Sequence, residues 1–237
     1  MLQSKTVAHV ARVQAPPLSA QRLATLLCFF SLGFSTAAWA PLIPFAQQRL
    51  SLNHADFGSL LLCAGIGSML AMPLTGMLIQ KMGGRLIIAV TLAVFIVVLP
   101  LLAMLPTTWA LGISLFAFGA AAGSLGVTIN LQAVMVEKQY AKNMMSSFHG
   151  MCSLGGLLGV MSMTVLLALG LSPLLAALII AACILMVMLL AVPKCLAQPV
   201  PTESEKITPK SKRGLPSPFI ALMGIICFIA FLSEGSA

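Results

Sequence analysis

The chain has 237 residues, of which 59% are hydrophobic and 8% charged, with a mean hydropathy of +1.06. Soluble domains carry about 45–50% apolar and about 25% charged residues, so 13 basic and 5 acidic side chains cannot build a polar shell here. The composition excludes a soluble enzyme, a nucleic-acid binder, a secreted disulfide scaffold and a disordered chain, and leaves a protein whose solvent is largely lipid.

Residues 1–21 form a tail that ends just before Arg22. Crossing a hydrocarbon core about 30 Å thick takes roughly 20 apolar residues per helix. Such runs follow at about 23–46, 57–80, 86–105, 108–135, 146–170 and 174–193, with a seventh at about 217–237. Helices are expected because a span in lipid must satisfy its own backbone hydrogen bonds. The first run holds Ser31, Ser35, Thr36 and Trp39, with Pro41 and Pro44 near its far end. Its Ala38-Trp39-Ala40 imitates a signal-peptidase site. The long preceding tail, Pro41 directly after the cut and the apolar continuation through Phe45 favour a retained helix.

Breakers separate the remaining runs. Asn53 and Asp56 precede the second, Gly83-Gly84 follow it, Pro106 divides the third from the fourth, and Ser172-Pro173 divide the fifth from the sixth. The fourth run carries Gly112, Gly119, Gly123, Gly126 and Asn130 on one face, with Glu137 beyond; the fifth carries His149, Ser153, Gly156 and the Gly155-x-x-x-Gly159 pair. Small residues on one face mark close helix–helix packing in lipid. Residues 194–215 are rich in Pro, Ser, Thr, Glu and Lys and read as a solvated linker.

The charges orient these spans. With the N-terminus in the cytoplasm, twelve of the thirteen basic residues face inward and only Arg49 faces out, which the positive-inside rule reads as N-terminus in. The net charge of +8 is therefore a topology signal and not a nucleic-acid face. The cysteines, Cys28, Cys63, Cys152, Cys183, Cys195 and Cys227, show no metal-ligand spacing, and five lie in apolar runs where Cys behaves as a small hydrophobe. No disulfide framework, metal or cofactor is expected.

One cluster is more specific. Gly76-Met77-Leu78-Ile79-Gln80-Lys81-Met82-Gly83-Gly84-Arg85, at the end of the second run, resembles the loop motif of the major facilitator superfamily (MFS), G-x-x-x-D-[RK]-x-G-x-[RK]-[RK]. Gly76, Lys81, Gly83 and Arg85 match, whereas Gln80 replaces the acidic residue and Leu86 the last basic one. A neutral amide in place of that acid implies a weaker latch between the two halves of such a protein.

The resemblance covers the chain and implies an all-α polytopic membrane protein. After the cytoplasmic tail 1–21, residues 22–193 would form the six-helix N-terminal bundle of 3+3 inverted repeats. Residues 194–216 would be a cytoplasmic linker, and 217–237 the seventh helix of a truncated C-terminal half. Asn130, His149-Gly150 and the ending Ser233-Glu234-Gly235-Ser236-Ala237 are similar to a poorly characterised bacterial inner-membrane branch. The implied activity is secondary transport of a small solute (a sugar, drug-like compound or other metabolite) by alternating access, coupled to protons. The partners are then the bilayer, the solute, H+ and the missing six-helix half. The rival reading is a non-transporting membrane scaffold.

Helices one and four line the cavity in this family, which makes Ser35, Trp39 and Asn130 candidate substrate contacts. Trp39 is equally an aromatic-belt residue, and Asn130 equally a packing hydrogen bond. His149 is a candidate proton relay or an interfacial residue bonded to the loop or to Glu137. With Cys152 one turn away it lacks an acidic orienter, so membrane-enzyme chemistry is not expected. Glu234, deep in the seventh run, is the other candidate for proton coupling, because a charge at the bilayer centre costs roughly 2.5–3.5 kcal/mol on insertion scales.

Overall fold

A computed structural model describes residues 16–196 and Leu222. The chain divides into a larger unit, Met1–Pro201, and a smaller one, Thr202–Ala237. Most of the expected linker and the expected seventh helix lie outside the described residues.

Among the described residues of the larger unit, seven α-helices make six segments long and apolar enough to cross a membrane. The first segment is not the single helix expected from its apolar run. It is α1 (Leu18–Ala37), a 3-10 turn at Ala40–Leu42, and α2 (Ile43–Leu50). Proline fixes φ and lacks an N–H, so it suits the first turn of a helix. Pro41 opens the 3-10 turn and Pro44 opens α2. The other segments are α3 (His54–Met82), α4 (Gly84–Met104), α5 (Thr108–Tyr140), α6 (Met145–Ala168) and α7 (Pro173–Ala191), the last followed by a 3-10 turn, Val192–Lys194. Pro73 and Pro100 lie inside α3 and α4 without ending them, as neighbouring helices in a bundle permit.

Polar side chains set the helix ends. Asn53 Oδ1 accepts from the Asp56 amide at 2.8 Å, and Ser172 Oγ from the Leu175 amide at 3.3 Å. Gly83, at φ +79°, is the single residue between α3 and α4, a backbone position that favours glycine. Glu137, near the end of α5, accepts from the amides of Met144 and Met145 at 2.8 Å each and so caps α6. Arg49 bonds three carbonyls at the end of α4, those of Leu102 (2.9 Å), Leu105 (3.0 Å) and Ala103. A cation there also meets the negative end of the helix dipole.

Helix pairing follows a two-fold pattern. α1 packs along α6 as α5 packs along α3, α7 meets α1 as α4 meets α5, and α4 and α7 meet each other. This is the arrangement of two inverted three-span repeats, the first ending with α4 and the second with α7. Alternation of the spans puts Arg22, Lys81, Arg85, Lys138, Lys142 and Lys194 at one end of the bundle, the basic end, and Arg49 at the other.

Both long seams are built on glycine. A Cβ at Gly119 would overlap the backbone of Ala64, one at Gly123 the backbone of Ser68, and one at Gly67 the carbonyl of Phe116. On the second seam, Gly33 lies against the Cys152 carbonyl, Gly155 against Phe30 and Gly159 against Phe34. Gly76, by contrast, faces open space. We expect Gly119→Ala to lower the thermal midpoint of the detergent-solubilised protein by about 4–10 °C, the cost of overpacking a close contact. Gly76→Ala should leave it within about 2 °C.

Candidate functional site

α5 is the hub of the bundle. Leu111, Leu115, Phe118, Leu125, Ile129 and Val136 turn into the core, while Gly126, Val127, Asn130, Leu131 and Val134 turn the other way. With Met72 of α3 and Met145 of α6 the latter line an open hollow of about 600 Å³. Asn130 is its one amide. Nδ2 donates to the Gly126 carbonyl at 2.8 Å, which leaves the second amide hydrogen and Oδ1 available to the hollow. Gly126 presents no side chain there; the nearest atom its Cβ would meet is Leu32 Cδ2 at 3.9 Å.

The other expected cavity residues sit elsewhere. Ser35 is fully buried, and its Oγ has no hydrogen-bond partner among the described residues. Trp39 is 6% exposed and belongs to the bundle core. The exposed tryptophan is Trp109, at 86%. It stands at the start of α5 beside a groove of about 400 Å³ lined by Leu60, Cys63, Gly112 and Phe116. His149 is exposed on α6, edge-on to the Phe29 ring with centroids 5.3 Å apart; Glu137, its suggested partner, is occupied by the α6 amides. Glu234 lies outside the described residues.

The loop motif divides by role. Gly76, Gln80 and Lys81 are exposed, and Gly83 makes the reversal into α4. Arg85 reaches across the basic end and donates from Nε and Nη2 to the Cys195 carbonyl at 2.9 and 2.6 Å. It thereby ties the start of α4 to the residue where the chain leaves the sixth span.

A buried polar cluster under this tie was not expected from the sequence. Gln132 donates to Thr25 Oγ1 at 2.9 Å and to Cys195 Sγ at 3.5 Å, and Cys195 Sγ lies 3.7 Å from Cys28 Sγ. Thr25 in turn donates to the Gln21 carbonyl at 2.8 Å. Gln132 follows Asn130 by two residues, about 200° around a helix of 3.6 residues per turn, so one amide faces the hollow and the other the bundle interior. A second amide two places along an apolar run was the signal available.

Comparison with known proteins agrees with this architecture. The sequence profile of the Major Facilitator Superfamily matches residues 25–236. The chain belongs to that superfamily. An uncharacterised MFS-type transporter of Yersinia pestis is 45% identical over 232 residues, 98% of this chain and 58% of that protein. The uncharacterised transporter y4wD of Sinorhizobium fredii is 36% identical over 131 residues, 55% of this chain and 35% of that one. Membrane protein MosC of Rhizobium meliloti is 34% identical over 138 residues, 58% of this chain and 34% of that one. This MFS chain is thus a multi-pass membrane protein that spans 58% of the length of the Yersinia relative.

The Arg85 tie makes a measurable prediction. Each bond to a charged donor is worth about 1.5–3 kcal/mol. Arg85→Ala should therefore raise the rate at which N-ethylmaleimide alkylates the buried Cys195 by about tenfold or more, read by peptide mass spectrometry. Arg85→Lys should recover only part of the protection, since one ammonium replaces a two-pronged donor.

Proposed function

We propose that this chain supplies the N-terminal six-helix half, and the start of the second half, of a secondary transporter. The transporter moves a small solute across the bacterial inner membrane by alternating access, coupled to protons, with its basic end in the cytoplasm. The observation that carries the reading is Asn130, a lone amide on the open face of the central helix α5, at a hollow flanked by α3 and α6. In a two-half transporter the substrate sits between the halves near the midplane, and an open polar position on a central helix suits that place.

The hollow also supports a substrate class. Met72, Val127, Leu131, Val134 and Met145 are apolar and Asn130 is neutral, so a neutral or weakly polar solute fits better than a highly charged one. The coupling proton is assigned to Glu234 and His149, and the basic end to the cytoplasm by the distribution of Lys and Arg. The loop residues Gly76, Gln80, Lys81, Gly83 and Arg85 serve the conformational change, with Gln80 making a weaker contact to the second half than an acid would.

The test is solute flux into proteoliposomes holding the full-length parent transporter. Asn130→Ala should lower kcat/KM by about tenfold, the worth of one hydrogen bond near 1.4 kcal/mol. Glu234→Gln should abolish uptake driven by a proton gradient while leaving solute exchange intact. Unchanged flux in the Asn130 variant would remove this residue from the site, and absence of flux for every neutral solute would overturn the transport reading.

A further inference from the structure

The superfamily fold does not account for the paired thiols at the basic end. Cys28 lies on α1 and Cys195 follows the 3-10 turn after α7, 167 residues away in sequence, and both are fully buried. Their sulfurs are 3.7 Å apart, in van der Waals contact. Among the described residues the remaining cysteines, Cys63, Cys152 and Cys183, are unpaired. We propose that Cys28 and Cys195 form a peroxide-sensitive dithiol that closes to a disulfide, fastening the root of the linker to the first span.

The surroundings make the two sulfurs unequal. Cys195 Sγ receives a bond from Gln132 Nε2 at 3.5 Å, sits 3.4 Å from the Ala191 carbonyl to which its own S–H points, and has the Arg85 guanidinium on its own carbonyl. Its contact with the Cys28 thiol, together with the Gln132 bond and the Arg85 charge, holds the Cys195 thiol below its usual range despite burial. The Gln132 donor and the neighbouring guanidinium favour a thiolate at Cys195, which makes it the nucleophile and Cys28 the resolving thiol.

The chemistry balances with hydrogen peroxide as the oxidant. The Cys195 thiolate attacks one peroxide oxygen, the O–O bond breaks, and the departing hydroxide takes a proton and leaves as water. Cys195 is then a sulfenic acid. The Cys28 sulfur attacks Cys195 Sγ, the S–O bond breaks, and hydroxide leaves with the Cys28 proton as a second water. The two thiols lose two electrons and the peroxide gains them. A disulfide needs sulfurs about 2.05 Å apart, so side-chain rotation must close less than about 2 Å. Burial selects the oxidant: peroxide is nearly as small as water, whereas bulky disulfides and maleimides reach the pair far more slowly.

The experiment uses the whole chain with a protease site inserted in the exposed α5–α6 loop, between Lys142 and Asn143, so that cleavage separates Cys28 from Cys195. After peroxide treatment and cleavage, most of the wild-type chains should run as one band without reductant and as two with dithiothreitol. Cys28→Ser and Cys195→Ser should each give two bands in both conditions. Peptide mass spectrometry of the uncut wild type should find Cys28 joined to Cys195 with loss of two hydrogens, which keeps the test independent of how the variants fold. Two bands from oxidised wild type, or Cys195 carried on to the sulfinic acid with Cys28 free, would overturn the proposal.

Discussion

Backbone-to-backbone contact along two glycine seams is the constraint on which the rest of this bundle depends. Lipid gives helices no hydrophobic reason to associate, so close packing and interhelical polar contacts must do so. At Gly67, Gly119 and Gly123 the α3 and α5 backbones meet with no side chain between them; at Gly33, Gly155 and Gly159 the α1 and α6 backbones do the same. The seams are related by the internal repeat, each joining a central helix to a flanking one. Because α3 and α6 are held by narrow glycine lines, most of their surface stays free; Met69, Leu62 and Leu157 are among the side chains left outside. The hollow beside Asn130 exists because these two helices flank α5 without covering it.

A central helix held that way can treat its two sides differently. Asn130 and Gln132 are both amides in an apolar stretch, yet one opens onto the hollow and the other joins Thr25 and Cys195 inside the bundle. The interior amide is a structural commitment, since a buried polar group without partners is costly. Gln132 spends its donors on α1 and on the end of the sixth span, and so sets how α5 sits against both. Asn130 spends one donor on its own helix and leaves the rest of its amide open to the hollow.

Much of the fold was legible in the sequence, because a bilayer imposes a span length and a charge asymmetry that few chains satisfy by accident. The runs at 86–105 and 174–193 fall within two residues of α4 and of α7 with its 3-10 turn. The break in the first span was written in Pro41 and Pro44 but masked by apolar residues on either side. The site was less legible. Ser35 on α1 and Trp39 just beyond its end both turn into the bundle and are buried. Hydropathy reports that a helix meets lipid or protein, and does not say which way it is turned. The contact of Cys28 with Cys195 joins residues 167 apart, and nothing local to either predicts it.

The basic residues show that topology and structure draw on the same side chains. Arg49 is an exception to the positive-inside pattern when charges are only counted. In the folded bundle it closes the end of α4, where three carbonyls have no partner in their own helix. Arg85 obeys the pattern, and its guanidinium is equally engaged with a carbonyl, that of Cys195. Each arginine therefore binds a helix or chain end at its own face of the bundle: one joins the first span to the third, the other the third span to the sixth. α4 is clamped at both ends by these contacts, which suits a helix that closes the first repeat and packs against α7, the last span of the second.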